Sequence, residues 1–159
     1  LSNKQVLIPA SSIKGAIAHR TVFHYNKLLG KTIEAKNGIE SVTEIFGEAK
    51  NSKKNIDGSK GKILISDCFK KDGGKTKTFD HVSIDRFTGG AIDGALFQEK
   101  AISDDGESYE IEILLHKDVK DKELEAFEKS LDDICSGMLP LGGATTKGHG
   151  VFIGTWSVK

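Results

Sequence analysis

Two cysteines, two prolines, one tryptophan and one methionine are all that the 159 residues hold of those types. Cys68 and Cys135 have no C-x-x-C partner and no histidine at ligand spacing, so a zinc site lacks its ligand set. Both lie in apolar surroundings, where a small buried thiol is the expected state, and this fits a reducing cytoplasm. No apolar run approaches the roughly 20 residues of a membrane span, and no signal-peptide layout is visible. Excess charge is missing too: 23 Lys and Arg balance 23 Asp and Glu. A purely electrostatic binder of nucleic acid would be basic, so any such site here has to be local.

The charge that is present is uneven. Nine lysines between Lys50 and Lys77 face only Asp57, Asp67 and Asp72, whereas the acidic counterweight falls in Asp104–Asp133. By length this is a single domain, residues 1–159, able to bury a core. The chain begins at Leu1 and enters an ordered pattern almost at once, which points to a piece of a longer polypeptide.

Hydrophobic periodicity predicts an α+β fold. Gln5–Pro9 is a short extended run, and Ser11 and Ser12 offer an N-cap for a helix over about 13–29, stopped by Gly30. Ile13, Ile17, Val22, Tyr25, Leu28 and Leu29 spread over half its circumference, leaving His19, Asn26 and Lys27 for the open side. Residues 31–59 show little periodicity beyond a helical turn at Val42–Phe46, and 48–60 reads as a polar loop. Gly61–Phe69 and Ser108–His116 read as strands, with a turn at 103–106. Asp121–Gly137 reads as a helix with a Leu124, Phe127, Leu131, Ile134 stripe and an acidic outer face. Val151–Val158 reads as the last strand. Between the strands, Asp80–Phe97 sets apolar arms around Thr88-Gly89-Gly90, the pattern of a projecting hairpin. This order matches a ferredoxin-like unit whose first, central strand is missing from residues 1–159 or reduced to Gln5–Pro9.

Two stretches carry anion-binding chemistry. In Gly142–Gly150, four glycines let backbone amides approach an anion, and Thr145, Thr146, Lys147 and His149 add donors. It is not a Walker loop, because no G-K-[ST] occurs and a strand pattern follows where a helix is required. The plain alternative is a tight helix-to-strand connection. Ser11-Ser12-x-Lys14 sits at a helix start, where free amides and the dipole favour anions; simple capping is the alternative there. His19 and His24 lie roughly 140° apart on a helix, so they cannot share a metal as an i, i+4 pair could. No Ser-His-Asp set can be assigned. Asp80, Asp85 and Asp93 are the acids to watch for catalysis, although turn acids are usually structural.

Ile8–Arg20 (IPASSIKGAIAHR), Val82–Phe97 (VSIDRFTGGAIDGALF) and Leu141–Gly154 (LGGATTKGHGVFIG) together resemble the RAMP superfamily. More narrowly, they resemble the repeated backbone subunits of type III CRISPR effectors, including versions fused into one chain. The resemblance implies an RRM-like, ferredoxin-type fold wrapping guide RNA. It places guide contacts at Ser11, Ser12, Lys14, Gly142, Gly143, Lys147, Gly148 and Gly150. Arg20, inside the first motif, and the donors Thr145, Thr146 and His149 join the expected RNA-binding set. It makes residues about 70–102 a thumb laid across a guide–target duplex, with Ile84, Asp85, Arg86, Phe87, Thr88 and Ile92 at its working end. Partners would then be guide RNA, target RNA, and adjacent copies or other effector subunits. Family members cleave target RNA with an aspartate after the first strand and a divalent metal such as Mg. That aspartate should lie before Leu1, so no catalytic residue, metal ligand or cofactor is assigned within this chain. Two rival readings stay open: an endoribonuclease processing precursor guide RNA with His19, His24 or His149 as base, and a ferredoxin-like interaction domain whose hairpin is a dimer arm.

Overall fold

The computed structural model describes residues 6–33, 35–50, 57–70, 75–102 and 108–159. They form a mixed α+β structure with three α-helices and four two-stranded antiparallel or short paired sheets. Strand β1 is Leu7–Ile8, followed by α1 (Ala10–Leu28) and α2 (Lys36–Phe46). Four short strands follow: β2 (Gly47–Glu48), β3 (Ser59–Lys60), β4 (Ile63–Ile65) and β5 (Cys68–Phe69). Then come the long β6 (Thr76–Ile84) and β7 (Ala91–Ile102), β8 (Ile113–Leu115), α3 (Asp121–Cys135) and a 3-10 turn at Thr145–Lys147. The chain divides into two compact units, one of Ile8–Cys68 with Ile111–Lys159 and one of Leu1–Leu7 with Phe69–Glu110.

In the first unit α1 crosses α3. Ile13, Ile17, Ala126 and Phe127 are buried there, and fully burying such an isoleucine contributes about 1.5–3 kcal/mol. Small side chains set the approach. Thr21 and Ser130 are both buried with their hydroxyl oxygens 3.1 Å apart, and Thr21 Oγ1 also donates to the Ile17 carbonyl at 2.8 Å. From α2, Val42, Ile45 and Phe46 complete the core, the Phe46 and Phe127 rings lying 6.3 Å apart. Strands β4 and β8 pair antiparallel, Ile63 with Leu115, Leu64 with Leu114 and Ile65 with Ile113. Alternation sends Ile63 and Ile65 into the core and leaves Leu64 and Leu114 on the open face.

Several sequence expectations change here. α1 begins at Ala10, three residues early, so Ser11 and Ser12 lie in its first turn rather than at its cap. Asn26 is fully buried instead of facing solvent. A complete helix, α2, occupies 36–46, where only a turn was expected. Of the two predicted nine-residue strands, Ile63–Ile65 with Cys68–Phe69 and Ile113–Leu115 pair as ladders. Val151–Val158 forms no strand: among the described residues it has no ladder partner, and a strand without a partner leaves its amides and carbonyls to water. Of the polar loop expected over 48–60, residues 51–56 lie outside the described residues, as do 71–74 of the expected thumb and the turn at 103–106.

The second unit is the hairpin. β6 and β7 pair from Thr76↔Ile102 to Val82↔Leu96, and a bulge then carries the register to Ile84↔Ala91. One face carries the His81–Phe97 stack (4.9 Å between centroids) and the Lys77–Phe79 cation-π contact (5.2 Å), with Phe97 still half exposed. The other leaves Val82 and Leu96 exposed. A lone two-stranded ribbon is marginal in water, so its apolar face calls for cover.

Candidate nucleic-acid interface

The helix start is tied down from a distance. Pro9 is extended at the N-cap position and supplies no side-chain cap. Instead the Ala10 amide donates to Asp67 Oδ1 at 2.7 Å, across 57 residues of sequence. The Ser12 and Ile13 amides turn back to the Pro9 carbonyl at 3.0 and 3.2 Å, while the Ser11 amide has no partner among the described residues. Ser11 and Ser12 are exposed and Lys14 is half-buried one turn on. No sequence signal pointed to Asp67, because its bond to the helix start exists only once β4 and α1 are packed.

Arg20 and His24, one turn apart, meet on Asp133 of α3. Arg20 Nε and His24 Nε2 both donate to Asp133 Oδ2, the latter at 2.6 Å, and the Arg20 guanidinium lies 4.6 Å from the Phe23 ring. Arg20 is therefore engaged in the helix–helix joint, and His24 is buried in it. Burial pushes the Asp133 carboxyl up, but the hydrogen bonds and charges of His24 and Arg20 more than offset this and hold it below the usual carboxylate range. A depressed carboxyl stabilises the fold above its unfolded pKa of about 3.9, and that contribution is lost as pH falls through the folded value. The urea midpoint of wild type should accordingly exceed that of Asp133→Asn at pH 7, with the difference shrinking on acidification. A difference unchanged at low pH would contradict this assignment. His19 is exposed and has no role in the joint.

The glycine loop is pinned at its neck and open at its rim. The Leu141 amide donates to the Gly150 carbonyl at 2.9 Å. Gly150 has φ +73°, and a Cβ there would stand 1.9 Å from the Leu141 carbonyl oxygen. Inside, the Ala144 carbonyl accepts from Lys147 (2.9 Å) and His149 (3.3 Å), with Ala144 itself left-handed at φ 55°. The amides of Gly142, Gly143, Thr145 and Thr146 have no partner among the described residues, and Gly142, Gly143, Thr146, Lys147 and Gly148 are exposed. Open amides beside a lysine offer donors suited to an anion. Gly150→Ala should cost at least about 1 kcal/mol of stability and open the neck; an unchanged urea midpoint would count against the clamp.

At the hairpin tip, Asp85 organises the turn. Its amide donates to the Gly90 carbonyl, its carbonyl accepts from Gly89, and its Oδ1 accepts from the Phe87 amide at 2.7 Å. Thr88 Oγ1 accepts from Gly90. The turn presents Phe87, 99% exposed, with Ile84, Arg86, Ile92 and Asp93 around it. Of the acids watched for catalysis, Asp85 is thus a turn residue and Asp80 accepts from Gln98 Nε2 at 2.8 Å. Among the described residues, no three His, Cys, Asp or Glu side chains converge as metal ligands do.

Open amides and a lysine in a glycine-rich loop are donors of the kind that backbone-reading RNA-binding domains use. The RAMP superfamily model matches residues 2–153, and the chain belongs to that superfamily. Membership makes it, in general terms, a CRISPR-associated RNA-binding protein of a kind that works in multi-subunit complexes. No curated protein matches the sequence. No helix among the described residues is long and apolar enough to cross a membrane.

Proposed function

We propose that this chain is a guide-RNA-binding backbone subunit, or one such domain of a fused polypeptide, in a type III CRISPR effector acting on target RNA in the cytoplasm. The observation that carries the reading is the glycine loop, whose clamped neck holds a row of open amides and Lys147 outward. Ser11, Ser12 and Lys14 at the α1 start supply a second set of donors on the same unit. Such contacts read backbone rather than base, which suits a protein that leaves sequence recognition to the guide. The ribbon of β6 and β7 is the thumb lying across the guide–target duplex. A divalent metal, Mg being the natural choice, would serve target cleavage by the whole assembly. In the ferredoxin-like arrangement one further strand would stand between β8 and Val151–Val158, and the exposure of Val151 (52%), Ile153 (88%) and Val158 (83%) supports that place for it.

Photo-crosslinking of bound RNA followed by peptide mapping tests the reading. Cross-links should fall in residues 8–20 and 141–150. Cross-links confined to other segments would overturn it.

A further inference from the structure

Past the neck of the glycine loop the chain is fastened back onto the end of α3 at two points. The Gly154 amide donates to the Cys135 carbonyl at 2.9 Å, and Trp156 Nε1 donates to Asp132 Oδ1 at 2.8 Å. Beside these bonds lies an open cavity of about 400 Å³ lined by Asp132, Cys135, Ser136, Gly154, Thr155 and Trp156. That volume is within the range of small-ligand sites. The indole is held by one edge, so its ring has a set orientation, yet Trp156 remains 38% exposed. A large, rigid aromatic held still beside a cavity is a ready stacking platform.

The polar groups of the lining decide what it accepts. Asp132 is exposed, and its Oδ2 has no hydrogen bond among the described residues; Lys129, three residues back, is bonded to Glu125 at 2.8 Å. Helix α3 ends at Cys135, and the carbonyls of a helix C-terminus add partial negative charge. Burial, with the Asp132 carboxylate behind it, pushes the Cys135 thiol up, so the sulfur is a neutral, polarisable wall. The Ser136 hydroxyl makes only a long 3.4 Å bond to the Asp133 carbonyl, and Thr155 brings a second hydroxyl. Negative charge of this kind repels phosphate. It favours a flat group carrying N–H donors on one edge.

We propose that this cavity takes one unpaired, splayed-out guanine of a bound RNA strand, stacked on the Trp156 indole, with its N1–H and N2 amino group donating to Asp132 and its O6 accepting from Ser136 or Thr155. Guanine alone sets two donors side by side on its pairing edge; adenine and cytosine offer one amino group there and uracil one imino N–H. An arginine guanidinium of a protein partner shares the flat, donor-bearing shape. Position favours RNA: the cavity is lined by the chain just before Leu141 and just after Gly150, the two residues of the loop neck. Gly154 follows Gly150 by four residues, no more than about 15 Å of extended chain. A strand whose phosphates lie on the glycine loop therefore passes within reach. The site presupposes the RNA-binding reading above and adds a base to its backbone contacts.

Fluorescence titration of the full-length polypeptide, freed of RNA and of nuclease, tests it with two single strands of about ten nucleotides, one all adenine and one carrying guanines among adenines. The guanine strand should bind wild type about tenfold more tightly. It should also quench the emission that wild type has and Trp156→Phe lacks. Asp132→Asn keeps the side-chain shape and the acceptor for Trp156, and it should bring the two strands to within about twofold of each other. Trp156→Leu, at an exposed position, should weaken both strands by about tenfold and leave the slope against log salt unchanged, because stacking releases no counterions. Equal binding of the two strands by wild type, a preference kept in Asp132→Asn, or an unquenched Trp156 would each overturn the proposal. Quenching by N-acetylargininamide at lower concentration than by the guanine strand would give the cavity to an arginine of a protein partner and overturn it too. Failure of the guide-RNA reading shows separately, as insensitivity of RNA binding to Lys14 and Lys147.

Discussion

Replacing Lys14 and Lys147 together with glutamine is expected to weaken guide-RNA binding by about one to two orders of magnitude, whatever the guide sequence. Each ammonium that neutralises a phosphate on a single strand contributes about 0.7 to the slope of log K against log salt, so losing both should reduce that slope by about 1.4. The size of the effect follows from composition. With 23 positive and 23 negative side chains, no general positive field compensates for two lost local contacts. Both lysines are held by backbone that the substitutions leave alone, Lys14 within α1 and Lys147 in the 3-10 turn under the clamped neck. Binding measured over a salt series for wild type and variant checks this. Weaker binding with an unchanged slope would mean that the lysines do not touch phosphates.

The largest stability loss is expected at Asn26. Its Nδ2 donates to the Ile33 carbonyl at 2.9 Å and to the Ala35 carbonyl at 3.1 Å, holding the chain between α1 and α2 against the end of α1. The Lys31 amide returns to the Asn26 carbonyl at 2.9 Å, so one residue ties the connection from both its side chain and its backbone. Asn26→Ala strips two carbonyls of a donor and leaves a cavity at a fully buried position, a loss of about 2–4 kcal/mol. Gly38→Ala probes the same joint from the other side, because a Cβ there would stand 2.6 Å from Asn26 Oδ1. Urea unfolding should show both losses. A shift below about 0.5 kcal/mol for Asn26→Ala would show the amide to be dispensable.

The sequence made local and periodic features legible. The apolar stripe of α3 includes the buried Phe127, and the glycine pair in the middle of an apolar stretch marks the Asp85–Gly90 turn of the hairpin. Features set by distant packing were not legible. Periodicity places Asn26 on the side of the helix with His19, toward water, and only the α2 connection folding over it buries it. Asp67 at the α1 start and Asp133 under Arg20 and His24 lie 57 and more than 100 residues from their partners, beyond any local pattern. Helix α2 was hidden by Gly38 and by an apolar set, Val42, Ile45 and Phe46, crowded at one end. Val151–Val158 shows the converse case, where composition favours a strand and only a neighbour can complete one.

The candidate interface divides in the same way. The glycines and Lys147 in Gly142–Gly150 suggested an anion site from composition, whereas the clamp between Leu141 and Gly150 and the outward amides required the fold. Arg20, a cation within the first motif, is engaged by Asp133 and the Phe23 ring, contacts that the motif by itself does not give.

The central claim is tested most directly by purifying the full-length polypeptide from cells that carry a CRISPR array and sequencing the RNA that comes with it. The account predicts small RNAs of uniform length with repeat-derived ends, lost together with Lys14 and Lys147. Protein recovered folded but free of RNA, or carrying RNA of random length and origin, would contradict it.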